Sequence, residues 1–142
     1  MNTLELAERE QPRAQGNDVV LLPYGLLGFE RVKNFSLVSK PDEQPYQWLK
    51  FLENSRHAFL VLPPTVVQPD YNPQFDDEDV DFLELDETAD ILTLGIVTLR
   101  ESGPATINLK GPIVINRATW VGKQVIPKNA ARYSARHLLK VA

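Results

Sequence analysis

Ile91-Leu-Thr-Leu-Gly-Ile-Val-Thr-Leu99 carries apolar residues on both of its alternating faces. That pattern belongs to a central strand covered on two sides. The rest of the chain supplies partners for it. Short apolar runs, rich in branched and aromatic residues, predict further strands over 18–22, 35–39, 46–52, 58–62, 106–109, 113–116 and 119–126. In the last of these, Trp120 and Ile126 share one face while Val121 and Val125 share the other. The tetrapeptide Asn116-Arg-Ala-Thr119 is short enough to join two strands as an antiparallel hairpin. Eleven prolines leave little room for long helices, since each interior proline costs a helix about 3 kcal/mol. Residues 63–73 hold four of them and read as an extended, stiffened loop. The expected fold class is therefore mainly β. It is a partly open β-barrel-like single domain over 18–142, with one or two short helices. Residues 1–17 are polar and are expected to be a partly disordered or weak edge-strand N-terminus.

One helix start is well marked. Asp76 is placed to act as N-cap, with Asp79 at the third helical position and Phe75 and Val80 forming a hydrophobic staple. Asp77, Glu78 and Asp79 fall in the first turn, where the helix dipole favours negative charge. The helix should run from Asp77 to about Leu83 and turn Val80 and Leu83 inward.

The charge map is strongly segregated. Between Arg56 and Arg100 there is no lysine or arginine, yet the interval carries ten carboxylates: Asp70, Asp76, Asp77, Glu78, Asp79, Asp81, Glu84, Asp86, Glu87 and Asp90. Residues 100–142 invert the balance, with Arg100, Lys110, Arg117, Lys123, Lys128, Arg132, Arg136 and Lys140 against the single acid Glu101. A formal net charge of −4 conceals this polarity. Such a face repels nucleic acid and attracts basic proteins, so it speaks about partners rather than fold. The basic third raises the alternative of a small nucleic-acid-binding β-barrel, which requires those cations to form one stripe. A pI near 5.2 and the acidic middle oppose it.

Catalytic signals are sparse. The chain has no cysteine, and its two histidines, His57 and His137, have no metal-ligand spacing. Serines form no GxSxG elbow, and no Walker or Rossmann glycine pattern occurs. The 70–90 carboxylates leave three uses open: a solvated helix start, a protein-binding face, or an acid/base or metal site. For calcium, 76–81 lacks the central glycine and terminal glutamate of an EF-hand loop. No cofactor is expected. With no apolar run near the roughly 20 residues that span a bilayer and no secretory N-terminal pattern, the chain reads as cytoplasmic.

The ordered motifs resemble the FliW family of bacterial flagellar assembly factors. Pro23-Tyr-Gly-Leu-Leu-Gly-Phe-Glu30 is similar to that family's FPxGLPGFE signature. Pro45-Tyr-Gln-Trp-Leu49, Ala58-Phe-Leu-Val61, Pro69-Asp-Tyr71, Gly95-Ile-Val-Thr98 and Thr106-Ile-Asn-Leu109 follow in order and spacing. Pro112-Ile-Val-Ile-Asn116, Gly122-Lys-Gln-Val-Ile126 and Tyr133-Ser-Ala-Arg-His137 complete a likeness over about 18–139. There are departures: Leu27 stands where the family has proline, Lys110-Gly111 replaces a small residue before Pro112, and the family's opening strand pair is hard to see in residues 1–16. The resemblance implies a non-enzymatic, cytoplasmic partner-switch protein, monomeric when free. It would bind newly made flagellin and also CsrA, a small basic RNA-binding repressor of flagellin translation. It would antagonise CsrA allosterically, without direct contact to nucleic acid or membrane. On that reading the expected CsrA contacts are Asp70, Tyr71, Asp76, Asp77, Glu78 and Asp79, with Tyr71 as anchor. Gly25, Gly28, Phe29, Asn108, Pro112 and Asn116 are expected to serve the fold as turn-formers and strand ends.

Overall fold

The computed structural model describes residues 17–54 and 56–139. The expectations for residues 1–16 and for Lys140 lie outside that range. The stretch that decides the fold is the strand β5, Ile91–Thr98. Its first half pairs antiparallel with β7 (Ile113–Asn116), from Ile91↔Asn116 to Leu94↔Ile113. Its second half pairs with β4 (Ala58–Leu62) through Leu62↔Gly95, Val61↔Ile96 and Leu60↔Val97. The same half also pairs with the two-residue strand β6 (Thr106–Ile107). A Cβ on Gly95 would stand 2.6 Å from Ile107 Cγ1, so only glycine lets β6 approach this closely.

Three further strands, β1 (Asn17–Leu21), β2 (Asn34–Ser39) and β3 (Gln47–Phe51), form an antiparallel meander that ends on β4. On the far side β7 turns into β8 (Val121–Gln124), paired from Asn116↔Val121 to Ile113↔Gln124. The expected hairpin after Asn116 is therefore present. A parallel contact of Leu21 with Val121 joins β8 to β1, reinforced by the Leu21 N–H donating to Trp120 O at 2.9 Å. The mainly β, barrel-like class is the one observed, and the ring is more complete than expected: seven strands close on themselves in the order β4-β3-β2-β1-β8-β7-β5, with the β4–β5 pairing shutting it. The strand β9 (His137–Leu138) extends the sheet beyond β6.

Alternation sorts the side chains into three clusters. Val20, Phe35, Leu37, Leu49, Val61, Leu94, Ile113 and Ile115 fill the barrel. Leu62, Tyr71, Val97, Ile107, Leu109 and Leu139 form a second core. The β5 strand is thus covered on both faces, Leu94 in one cluster and Val97 in the other. The third cluster, Leu83, Val114 and Val125, is the seat of the one α-helix among the described residues, α1 (Asp77–Leu83).

That helix begins where the capping signals place it. The Asp79 N–H donates to Asp76 Oδ1 at 2.9 Å, and the Val80 N–H makes the first helical bond to Asp76 O at 3.0 Å. Leu83 is buried as expected, but Val80 is only half-buried, and Phe75, Phe82 and Leu85 complete the cluster instead. A seven-residue helix has so few turns that its packing stripe follows from how the hairpin holds it rather than from its own periodicity. Asp76→Ala is expected to cost about 1 kcal/mol of stability by orphaning the Asp79 N–H, read as a lower urea midpoint with an unchanged slope. The predicted strand over 119–126 shortens to β8. Val121 and Val125 do share the helix-facing side, whereas Ile126 is exposed and does not join Trp120.

Candidate functional site

The β7–β8 hairpin grips α1 at both ends. At the C-terminal end, Asn116 Nδ2 donates to Leu83 O at 2.9 Å and to Glu84 O at 3.3 Å, satisfying carbonyls that the helix itself leaves open. Glu84 stops the helix in the left-handed region, at φ 56°. Nearer the N-terminal end, Lys123 Nζ lies 2.5 Å from Asp79 Oδ1. The ammonium sits over the rings of Tyr24 (5.3 Å) and Phe82 (5.8 Å), which are themselves 5.1 Å apart. The hydrogen bond to Asp79 holds the Lys123 pKa above its ordinary value, outweighing the desolvation that lowers it.

This pairing changes the expected contact set. Asp79 is 4% exposed, so it serves the fold and offers no charge to a partner. Tyr71 is likewise no surface anchor: it is buried in the second cluster, and its hydroxyl donates to Leu109 O at 2.8 Å. Burial pushes its phenol well above the ordinary range. Four prolines around it predict an extended, stiffened loop, but Pro64–Val66 form a 3-10 turn and the segment is tied down beyond Tyr71, with Asn72 N–H donating to Tyr133 Oη at 3.0 Å and Gln74 N–H to Asn129 Oδ1 at 2.9 Å. Asp70 is exposed, but it lines a separate hollow that includes Arg132 and no residue of α1.

What remains open to solvent is a carboxylate surface on and after α1. Asp77, Glu78, Asp81, Glu84 and Asp86 are exposed, and Asp76 is half-buried. Asp81, Glu84 and Asp86 share a hollow of about 290 Å³ with Val80 and Leu85, and no cation lines it. Thr88 donates to Asp86 Oδ1 through Oγ1 (2.7 Å) and its N–H (2.9 Å), which lowers that carboxyl below its usual range. Among the described residues, no three His, Cys, Asp or Glu side chains gather as a metal-holding group. No helix of the described residues is long and apolar enough to cross a membrane.

Among the described residues, two cations of the basic third are taken up by carboxylates. Lys123 is spent on Asp79, and Arg117 Nε lies 3.8 Å from Asp90 Oδ1. Lys110, Arg132 and Arg136 line three different hollows. The pairing of 123 with 79 has no signal in the sequence, where Lys123 is one more member of the basic third. Register decides it: Lys123 faces Val114, the β7 residue on which the helix cluster is built.

The remaining motif residues serve turns and packing. Gly25 and Gly28 have φ 67° and 88°. Phe29 packs edge-on against Phe59 (5.2 Å) and Phe51 (5.8 Å). Asn108 Oδ1 accepts the N–H groups of Lys110 (2.9 Å) and Gly111 (3.0 Å), and the Pro112 carbonyl accepts the Val125 N–H at 2.9 Å.

The sequence model of the FliW protein family matches residues 4–139. The chain belongs to the FliW family. A flagellar assembly factor FliW of Leptospira interrogans serovar Lai is 35% identical over 126 residues, covering 87% of this chain and 84% of the relative. Another, from Syntrophus aciditrophicus, is 35% identical and covers 85% and 77%. A crystal structure of the flagellar assembly factor FliW superposes with a TM-score of 0.78 at 31% identity, over 87% of this chain and 86% of that one. Against the FliW signature, the Leu27 departure has a structural use. Its N–H donates to Gln124 Oε1 at 2.9 Å, a bond that proline has no donor to make. Gln124 Nε2 in turn donates to Gly111 O at 3.0 Å, so one side chain ties the signature turn to the turn before Pro112.

Proposed function

We propose that this chain is a cytoplasmic flagellar assembly factor that exchanges between two protein partners, flagellin and the basic translational regulator CsrA. Bound to CsrA it relieves repression of flagellin translation; bound to flagellin it leaves CsrA free to repress. The observation that carries the regulator half is the carboxylate surface of α1, where Asp77, Glu78 and Asp81 stay exposed after Asp79 is neutralised. A basic partner meets there an uncompensated negative field, which raises association rate and orients the encounter. Asp70 and Asp76 extend the field without being its centre. Family membership supports the flagellar setting, and the pairing of Lys123 and Arg117 with carboxylates disfavours the nucleic-acid-binding alternative.

Co-purification with CsrA and with flagellin tests the reading directly. The double variant Asp77→Lys/Glu78→Lys is expected to weaken CsrA binding about tenfold or more at low salt, while leaving the Asp76 cap intact. It should cost the helix about 1 kcal/mol through the dipole, so circular dichroism accompanies the titration. Wild-type affinity should fall steeply as ionic strength rises; affinity indifferent to salt would remove the acidic surface from the interaction.

A further inference from the structure

An antiparallel sheet that faces water carries polar side chains on its outward face. The outward face of β3, β4 and β5 departs from that rule. Trp48 pairs with Leu60 and Leu60 with Val97, so the three form one apolar row across three strands. Their neighbours Leu49 and Val61 point the other way, into the barrel cluster. The second core covers the row at Val97, which is 7% exposed, and leaves Leu60 and Trp48 only half-buried. A hollow of about 490 Å³ lies there, lined by all three and by Leu99, which is 66% exposed. The charged residues that line it are both carboxylates, Asp42 and Glu43. Lys40 and Arg100 are close by in sequence but line none of it. Among the described residues, neither carboxylate pairs with a cation. Glu43 is also held in place, because the Trp48 indole N–H donates to its Oε1 at 3.1 Å. A carboxylate is thus fixed at the edge of an indole before any ligand arrives, which lowers the entropy lost on binding.

We propose that this hollow docks a basic-and-apolar segment of a partner protein, with an arginine on Asp42 and Glu43 and an apolar side chain against Leu60 and Leu99. Charge selects the occupant. An acidic segment meets two carboxylates with no cation in the lining to offset them. A purely apolar segment strips water from those carboxylates and gives them no partner, which is costly. Arginine suits the site better than lysine, since its planar guanidinium bridges carboxylate oxygens and stacks on aromatic faces. A tryptophan in a concavity, rimmed by charge, is also the composition of a binding hot spot. The hollow shares no residue with α1. It is a second docking surface, and it stands or falls independently of the partner exchange proposed above.

The test uses the full chain, a capped pentapeptide of alternating leucine and arginine, and the counterpart with glutamate in place of arginine. The chain has two tryptophans, Trp48 and Trp120, so its nitrogen–proton NMR spectrum holds two indole signals, which Trp48→Phe assigns. The arginine peptide should shift the Trp48 indole signal, whose N–H lies on Glu43, and the glutamate peptide should not. The double variant Asp42→Asn/Glu43→Gln keeps an acceptor for the indole and is expected to weaken the arginine peptide about tenfold at low salt. Leu99→Ser, at an exposed position, should weaken it about fivefold. Thermal melts accompany each variant. A Trp48 signal unmoved by millimolar arginine peptide overturns the site. Equal binding of both peptides, or unchanged affinity in the double variant, overturns the basic occupant. Residues 140–142 follow Leu139, which also lines the hollow, and are the competing occupant. Lys140→Ala should leave peptide affinity unchanged; a rise of about tenfold would give the hollow to the chain's own Lys140 and overturn the partner assignment.

Discussion

Gly25→Ala is expected to destabilise the protein by about 3 kcal/mol, lowering its melting temperature by about 10 °C. Two costs combine. Gly25 has φ 67°, where a side chain costs about 1–2 kcal/mol. Its Cβ would also lie 2.6 Å from Phe29 O and 2.7 Å from Glu30 Cα and Glu30 O. Those are backbone atoms, so no rotamer change relieves the overlap and the 25–30 turn must open, adding about 1–2 kcal/mol. That turn is closed by the Phe29 N–H to Leu26 O at 2.7 Å and by the Gly25 N–H to Leu22 O at 2.8 Å. Gly28→Ala is the matched comparison: its φ is 88°, but nothing lies within 4 Å of the added carbon. It should cost about 1 kcal/mol from conformation alone. Urea unfolding followed by tryptophan fluorescence reads both, and equal losses would show that close approach of the backbone plays no part.

Lys123→Met is expected to cost about 2–3 kcal/mol, the second large effect. Removing one member of a buried pair strands the other, at about 3–5 kcal/mol for full burial. Here Asp79 is deeply buried while the Lys123 side chain is 27% exposed, which moderates the figure. Methionine keeps an apolar stem over Tyr24 and Phe82, so the loss reports charge rather than packing. The double variant Lys123→Met/Asp79→Leu should recover most of it, since a stranded carboxylate no longer exists. The pH dependence has a definite sign. The folded Lys123 pKa lies above its ordinary value of 10.5, so the pair contributes in full below about pH 10.5. The difference between wild type and Lys123→Met should be flat from neutrality to mildly alkaline pH. It should shrink as pH rises through the folded pKa, where the native ammonium is lost.

Local chemistry was legible in the sequence, and long-range pairing was not. The Asp76 cap, the two-faced strand around Leu94 and the hairpin after Asn116 each depend on residues within a few positions of one another, so spacing alone locates them. Closure of the ring depends on Leu21 meeting Val121, which no local pattern encodes. The same gap explains the errors at the site. Asp79 looked like a member of a solvated acidic run until register placed Lys123 above it, and Tyr71 looked exposed until Leu109 supplied a buried acceptor. Asn116 carried a turn signal, but its side chain reaches Leu83 O and Glu84 O, 33 and 32 positions earlier.

The β7–β8 hairpin also sets an order of events during folding. It supplies the strand that meets β1 and both residues that fasten α1, Asn116 and Lys123. The meander from β1 to β4 forms from near neighbours and has no need of it. Long-range contacts are the slow ones, because the loop between them must be closed before they repay its entropy. On a ribosome, the acidic helix therefore emerges well before the hairpin that fixes it. Barrel closure and helix docking both wait for that hairpin, so a growing chain gains its exposed carboxylate surface in finished form only when the barrel itself is complete.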